Sequence, residues 1–190
     1  MMYRYEDGLE SARLRTRFLV PADIETWVPF FSDKESIRYF PHANFPDDHA
    51  RAKFWIDKQL ERYAAKTYGL QALIEKKSDA FIGQCGLLGR TIDGKTEIEV
   101  GYHILPEFRG KGFAPEAAAL FLNYAFENNL STSIISIIHT DNFSSQRVAA
   151  KNGLKQDGQI TWEGIPVFVF RIRQPEWNFN DRDHSELSED

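Results

Sequence analysis

Residues 99–116 combine residue types and spacing that could bind a phosphate group next to a titratable side chain. The segment reads Glu-Val-Gly-Tyr-His-Ile-Leu-Pro-Glu-Phe-Arg-Gly-Lys-Gly-Phe-Ala-Pro-Glu. We predict a strand that ends at Pro106, then a short loop, then a helix that begins near Phe113. The first N–H groups of a helix have no partner within it and point outward with the positive end of the helix dipole. Because Gly110 and Gly112 add no side chains there, the loop predicts a diphosphate cradle.

Two common phosphate-binding motifs do not fit this loop. A Walker A loop needs G-x-x-x-x-G-K-[ST], whereas Lys111 is followed by Gly112, which offers no hydroxyl for magnesium. A Rossmann fingerprint needs a third glycine where Pro115 stands. The glycine pair alone is equally compatible with a tight turn that binds nothing, so the longer pattern must decide.

A second motif follows at residues 142–154, which read Asn-Phe-Ser-Ser-Gln-Arg-Val-Ala-Ala-Lys-Asn-Gly-Leu. Residues 109–114 resemble the [QR]-x-x-G-x-[GA] signature of GNAT-type N-acetyltransferases. Residues 142–154 are similar to the N-x-x-S-x-x-[VL]-x-x-K-x-G-[FL] pattern of their RimJ/RimL-like branch, the ribosomal-protein N-terminal acetyltransferases. Residues 81–86 resemble the central hairpin of the family, so the resemblance covers about residues 13–173.

The resemblance implies a fold and a co-substrate. The fold would be α+β, a three-layer α/β/α arrangement with a mixed, mostly antiparallel sheet of about seven strands, splayed at its central parallel pair and flanked by helices. Acetyl-CoA would be the co-substrate, without a metal, and an acetyl group would pass directly to a primary amine in a ternary complex. The implied coenzyme A contacts are the pantetheine-binding strand (Tyr102, His103, Ile104), the pyrophosphate-binding loop (Arg109, Gly110, Lys111, Gly112, Phe113, Ala114) and Asn142, whose alternative role is to cap the following helix.

The resemblance also implies two catalytic residues. Glu99 would be the base that takes a proton from the amine, although it could instead bind the substrate ammonium or form a structural salt bridge. Many relatives protonate the departing thiolate with a tyrosine, but Ala149 stands at that position. Ser145 would then donate a hydrogen bond or relay a proton, with helix packing as its alternative. Cys85 is expected to be a small buried hydrophobe rather than a thioester-forming nucleophile.

The resemblance places the acceptor groove between the early helices and the last hairpin, so substrate recognition is expected in the first third of the chain. The aromatic loop at residues 38–46 would supply Tyr39, Phe40, His42 and Phe45, while Glu99, Asp141 and Glu163 could attract an ammonium group. Trp27 and Phe31 have helical spacing that favours a place in the core. The acceptor could be a protein N-terminus, a polyamine or a small-molecule amine.

The elements that position these residues can be read from the periodicity. Helices come early: one after Pro21, a short second one with a capping box at Ser32 and Glu35, and a long one from Asp47 to about residue 66. Strands follow at residues 68–75, 80–88 and 96–105. A helix at residues 115–128, a strand at 133–139, a helix at 144–152 and a hairpin at 154–162 and 165–173 complete the pattern. We predict one domain over residues 1–175 and an acidic tail over residues 176–190.

Composition restricts the class of protein. The chain has 190 residues, 42% of them hydrophobic, and a formal net charge of −5, which disfavours nucleic acid as a partner. A single cysteine gives no disulfide framework. No signal peptide or membrane span is apparent, so we expect a cytoplasmic protein. We expect it to be a monomer or a homodimer. Two other functions remain open: a non-catalytic acyl-CoA-binding module, which the absent tyrosine makes conceivable, and a nucleoside-triphosphate phosphotransferase that uses the same cradle.

Overall fold

A computed structural model of the chain describes residues 5–40 and 44–178. Within these residues, seven strands form one mixed sheet in the order β1-β2-β3-β4-β5-β7-β6. All neighbouring strands are antiparallel except the β4–β5 pair, which is parallel. The predicted mixed sheet with a central parallel pair is confirmed.

The strands and helices follow the predicted order, with shifted ends. The strands are β1 (Leu14–Arg17), β2 (Leu70–Glu75), β3 (Phe81–Ile92), β4 (Lys95–Ile104), β5 (Ser133–His139), β6 (Lys155–Trp162) and β7 (Ile165–Arg173). The helices are α1 (Asp23–Ser32), α2 (Lys34–Ile37), α3 (Asp48–Ala64), α4 (Phe113–Glu127) and α5 (Phe143–Lys151), and short 3₁₀ turns lie at Pro106–Phe108 and Gln174–Glu176.

Two helix starts differ from the prediction for identifiable reasons. The predicted capping box at Ser32 and Glu35 is wrong, since Asp33 caps α2 by accepting a hydrogen bond from the Ser36 N–H at 3.0 Å. The carboxylate of Asp33, one residue after Ser32, therefore accepts from the free backbone amide in the first turn of α2. Helix α4 begins at Phe113, where the loop sequence predicted it and two residues before the start at residue 115 that the periodicity predicted, because Gly112 takes the left-handed conformation at the N-cap and lets the chain enter the helix there.

Helices cover both faces of the sheet and enclose two apolar cores. On one face α1 and α3 pack together over Trp27, Phe31 and Ile56, which are at most 2% exposed, so the predicted core position of Trp27 and Phe31 is observed. On the other face α4 packs on β3 and β4 through Phe121 and its neighbours. The result is the three-layer arrangement, and none of the helices described here is long and apolar enough to cross a membrane.

The end of the described chain is packed against the domain. Trp177 is 5% exposed, its ring lies 6.1 Å from that of Phe126, and its Nε1 donates to Asn123 Oδ1 at 2.7 Å. The packed part therefore includes Trp177, two residues past the predicted domain boundary at residue 175. Most of the predicted tail, residues 179–190, lies outside the described residues.

Candidate active site

A gap opens in the middle of the sheet where β4 and β5 diverge. The two strands pair only at Ile98–Ile134 and Glu99–Ile135, although β4 continues to Ile104 and β5 to His139. The side chain of Glu99 spans the start of the gap, because its Oε1 accepts a hydrogen bond from the Ile137 N–H at 3.3 Å. Beyond this point the edges of both strands are available to a ligand lying between them.

The gap belongs to a cavity of about 1160 Å³ that reaches both faces of the sheet. It extends from the loop after β4 to the C-terminal part of α3 and the β6–β7 turn. Most of the residues predicted for the site line it: Tyr39, Phe40, Glu99, Tyr102, His103, Ile104, Arg109, Gly110, Gly112, Phe113, Ala114, Asn142 and Ser145. Lys111 and Phe45 are absent from its lining, and His42 lies outside the described residues.

The loop after β4 has the geometry of an anion cradle. Gly110 and Gly112 both have φ of +76°, a conformation that favours glycine. The first backbone hydrogen bond of α4 runs from the Glu116 N–H to the Gly112 carbonyl, which leaves the preceding amides of Phe113 and Ala114 without a helical acceptor. Pro115 has no N–H to add, so the cradle rests on the amides before it.

Arg13, the residue directly before β1, holds this loop in place, a role that the sequence analysis did not assign. Its NH1 donates to the Lys111 carbonyl at 2.8 Å and its Nε donates to Glu116 at 2.6 Å. Its guanidinium also lies 4.5 Å from the centre of the Phe113 ring. An arginine joined to both the loop and the first turn of α4 fixes their relative position, and only the tertiary contact reveals it.

The two cations of the loop point away from the cradle. Arg109 donates from Nε to the Ile104 carbonyl at 3.2 Å, from NH1 to Asp33 at 2.7 Å, and from NH2 to Ser36. The Lys111 ammonium lies 5.1 Å from the centre of the Phe108 ring. Arg109 thus ties the loop to α2, while Arg147 and Lys151 contribute positive charge to the cavity wall from α5.

Helix α5 supplies polar groups to one side of the gap. The Oδ1 of Asn142 caps the helix by accepting from the Ser145 N–H at 3.1 Å, which is its alternative role, while its Nδ2 has no hydrogen-bond partner within the described chain. Ser145 donates from Oγ to the Tyr102 hydroxyl at 3.1 Å, and that hydroxyl donates to the Ser145 carbonyl at 2.9 Å. Burial raises the pKa of Tyr102 to about 12, so its phenol is neutral at physiological pH.

Glu99 lies on the opposite face of β4 from Tyr102, since the two residues are three positions apart on a strand. It is 6% exposed, and its Oε2 forms an ion pair with Arg90 of β3. The salt bridge that we considered as an alternative for Glu99 is therefore present, together with the bond to Ile137. Glu97, two residues earlier on the same face, pairs with Arg171 through two contacts of 3.0 Å.

An aromatic wall surrounds His103 on the Glu99 face. The His103 ring lies 5.6 Å from that of Phe30, 5.5 Å from that of Phe40 and 5.2 Å from that of Trp55. Burial, with a smaller contribution from Arg90, lowers the pKa of His103 to about 4. The imidazole is consequently neutral near pH 7 and contributes as a polar ring among aromatic ones.

Only part of the predicted aromatic loop lines the cavity. The Tyr39 hydroxyl donates to the Asp141 carbonyl at 3.0 Å, and its ring lies 4.9 Å from that of His139, so this residue connects the early helices to the end of β5. Phe45 packs on Phe54 with ring centres 5.3 Å apart. Since Phe54 lines the cavity, Phe45 lies one ring behind the wall.

Sequence reasoning missed the face of α3 and the cation on β3. Trp55, Gln59 and Arg62 are spaced at i, i+4 and i+7 and line the cavity, as does Arg90. The helical spacing is visible in the sequence, but it does not show that this face of α3 lines a cavity. Cys85 is fully buried, and burial raises the pKa of its thiol, in keeping with the expected small hydrophobe. The described residues contain no cluster of side chains suited to a metal ion.

Comparison with known proteins gives consistent findings. The family model described as Acetyltransferase (GNAT) domain matches residues 13–155. The uncharacterized N-acetyltransferase YnaD of Bacillus subtilis is 26% identical over 177 residues, which cover 90% of this chain and 99% of YnaD.

Two solved structures share the fold. The GNAT-family acetyltransferase from Bacillus anthracis has a TM-score of 0.72 at 21% identity and covers 88% of this chain and 98% of its own. RimJ of Mycobacterium smegmatis, solved in complex with CoA-disulfide, has a TM-score of 0.71 at 16% identity and covers 86% of this chain and 83% of its own.

Proposed function

The chain belongs to the GNAT acetyltransferase family, and from this premise we propose that it transfers the acetyl group of acetyl-CoA directly to a primary amine in a ternary complex. The observation that carries the proposal is the gap between β4 and β5 with its cavity open on both faces of the sheet. A cavity of this shape lets a thioester and an amine enter from opposite faces and meet inside the sheet.

The residues on the α4–α5 face fit coenzyme A. The amides of Phe113 and Ala114, with two glycines before them, suit a diphosphate, and the unpaired edges of β4 and β5 suit the amides of pantetheine. Arg147 and Lys151 add positive charge beside the loop. When bound, acetyl-CoA would supply an acetyl group already activated as a thioester.

The side chain that would accept the proton of the amine and those that would donate to the leaving thiolate lie on opposite faces of the sheet. Glu99, on the α3 face, would accept the proton of the amine, directly or through a water molecule, on a carboxylate lone pair left free by Arg90 and Ile137. On the α5 face, the Ser145 hydroxyl would turn away from Tyr102, or the Tyr102 hydroxyl away from the Ser145 carbonyl, to donate a hydrogen bond to the leaving sulfur. Because a thiolate is a stable leaving group, a neutral hydroxyl pair suffices where Ala149 provides no tyrosine.

The amine would bind against the aromatic wall. Trp55, Phe40 and His103 present flat surfaces beside Glu99, and Tyr39 closes the side nearest β5. Such a wall accommodates the carbon skeleton of an amine and excludes water from the reacting atoms. His42 and Phe45 remain predictions for the outer part of this site.

Two measurements test the proposal on the full chain. The first is the shift in melting temperature with coenzyme A and, separately, with ATP and magnesium. The second is thiol release from acetyl-CoA with a panel of peptides, polyamines and amino acids. Stabilisation by coenzyme A together with amine-dependent thiol release supports the proposal. Stabilisation without thiol release on any amine would favour the non-catalytic module, and stronger stabilisation by ATP with magnesium would favour the phosphotransferase.

A further inference from the structure

The acceptor end of the cavity carries more positive charge than the acidic residues predicted there would suggest. Glu99 lies five residues before Ile104, so this end is roughly 17 Å along β4 from the point where the strand ends and the cradle loop follows, at ~3.3 Å per residue. The charged side chains that line the cavity from α3, β3, β4 and the β6–β7 turn are Lys58, Arg62, Arg90, Glu99 and Glu163, so three cations lie there with two carboxylates.

Most of these charges are already engaged. Arg90 forms its ion pair with Glu99 and lies 5.7 Å from the centre of the Trp162 ring. Lys58 pairs with Glu61 at 2.8 Å, one turn further along α3. Glu163, in the turn between β6 and β7, is exposed, so water solvates its charge. Arg62 is the remaining cation.

Arg62 is partly buried and held in place by a neutral partner. Its NH1 donates to Gln59 Oε1 at 2.9 Å, and the same oxygen accepts from the Leu70 N–H at 2.9 Å. Gln59 is 2% exposed, so the guanidinium is anchored on a buried amide. No carboxylate within the described residues lies within salt-bridge distance of Arg62. Burial, and to a smaller extent the nearby Arg90, lowers the pKa of Arg62, while the charges of Glu99 and Glu61 offset part of this effect from beyond contact distance.

A half-buried guanidinium without a counter-ion is unfavourable, and proteins normally pair such a charge. A guanidinium also presents parallel N–H groups that match the two oxygens of a carboxylate. We propose that Arg62, assisted by Arg90, forms a subsite for a carboxylate group of the acceptor, so that the acetylated amine belongs to a molecule that carries both an amine and a carboxylate. The amine of that molecule would lie toward Glu99. This inference rests on the proposed function.

The carboxylate could belong to a free amino acid or to an acidic side chain close to a peptide N-terminus. The test titrates the protein saturated with coenzyme A with pairs of ligands that differ only in this group: α-amino acids against their carboxamides, and Ala-Asp or Ala-Glu peptides against Ala-Asn or Ala-Gln peptides. Calorimetry reports each Kd. We expect at least one acid in one arm to bind at least tenfold more tightly than its amide, and the arm identifies the source.

Arg62→Gln should remove this preference: the Kd of the carboxylate ligand should rise about tenfold, while the Kd of its carboxamide should stay within twofold of the wild-type value. Arg62→Lys should retain only part of the preference, because lysine keeps the positive charge but lacks the two parallel N–H groups of the guanidinium. Lys53→Gln is the matched control, since Lys53 is an exposed cation on the same helix, pairs with Asp57 and does not line the cavity. Melting temperatures of the variants report whether each one folds.

The outcomes separate the two proposals. Equal affinity for acids and amides in every pair overturns the carboxylate subsite, even if amines are acetylated. A preference for acids that persists in Arg62→Gln overturns the assignment to Arg62. Binding of acids that depends on Arg62 without thiol release from acetyl-CoA keeps the subsite and contradicts the proposed function.

Discussion

The Glu99 carboxylate accepts a hydrogen bond from the Ile137 N–H at 3.3 Å, across the point where β4 and β5 cease to pair. The side chain takes the place of a backbone carbonyl that the diverging strand no longer offers. Glu99 therefore satisfies a buried amide at the start of the gap and holds a carboxylate at the position proposed for proton transfer. One residue connects the opening of the sheet with the chemistry proposed for it.

Glu99→Gln separates these two roles. The amide oxygen can still accept from Ile137, so the gap and the Kd of coenzyme A should stay within about twofold of the wild-type values. The turnover number should fall at least tenfold, because an amide cannot take the proton. Steady-state kinetics and calorimetry check both values. Glu97→Gln, on the same face but paired with Arg171 outside the cavity, is the control. Unchanged turnover in Glu99→Gln would remove Glu99 as the base.

Gly110→Asp tests the cradle. Gly110 has φ of +76° and open space around its Cα, and Gly94 in the β3–β4 turn has φ of +75° and equally open space. An aspartate at either position pays the same conformational cost of about 1 kcal/mol, but only position 110 brings a negative charge to the cavity. We expect the Kd of coenzyme A to rise at least tenfold in Gly110→Asp and to stay unchanged in Gly94→Asp. Equal affinity in both variants would show that the loop does not bind the diphosphate.

Tyr102→Phe tests the hydroxyl pair on the α5 face. The variant removes the group that accepts from Ser145 Oγ and leaves the aromatic ring in place. We expect the turnover number to fall about tenfold, equivalent to the loss of one useful hydrogen bond in the transition state, with little change in the Kd of coenzyme A. Tyr124→Phe, which also loses a buried hydroxyl contact but lies outside the cavity, is the control. If Tyr124→Phe slows turnover equally, the effect of Tyr102 is structural.

His103 predicts a loss of stability in mild acid. Its folded pKa of about 4 lies below the ordinary value of 6.5, so between these values the unfolded chain binds a proton that the folded chain does not. The contribution of neutral His103 to the free energy of unfolding is complete above pH 6.5 and is lost as the pH falls toward 4. The loss is at most ~3 kcal/mol, and solvent that enters the adjacent cavity reduces it.

Urea unfolding of wild type and His103→Gln at pH 7 and pH 5 measures the effect. The variant should lose less free energy of unfolding over this interval than the wild type, since glutamine does not titrate. A wild type and variant with the same pH dependence would show that His103 is protonated as easily in the folded state as in the unfolded chain.

The resemblance to the family implied the mixed sheet. The order of the elements and the glycine loop after β4 could be predicted from the sequence by itself. These features depend on local patterns: Gly110 and Gly112 need no distant partner to adopt a left-handed conformation, and the alternation along β4 fixes that Glu99 and Tyr102 face opposite ways. The two motifs at residues 109–114 and 142–154 lie in order along the chain, so their resemblance was visible without a fold.

Only the tertiary structure decided which side chains meet. The contacts of Arg13 with the cradle, of Arg109 with α2, and of Tyr102 with Ser145 join residues 98, 76 and 43 positions apart. No local periodicity encodes such distances. Charge pairing also needs the fold: Glu99 pairs with Arg90 of the neighbouring strand, whereas Lys58 pairs with Glu61 one turn along α3. These pairs leave Arg62 as the cation that we propose for the carboxylate of the acceptor. Whether a charged residue forms an ion pair within the fold or is available to bind a ligand depends on its neighbours in space, and the sequence shows only its neighbours along the chain.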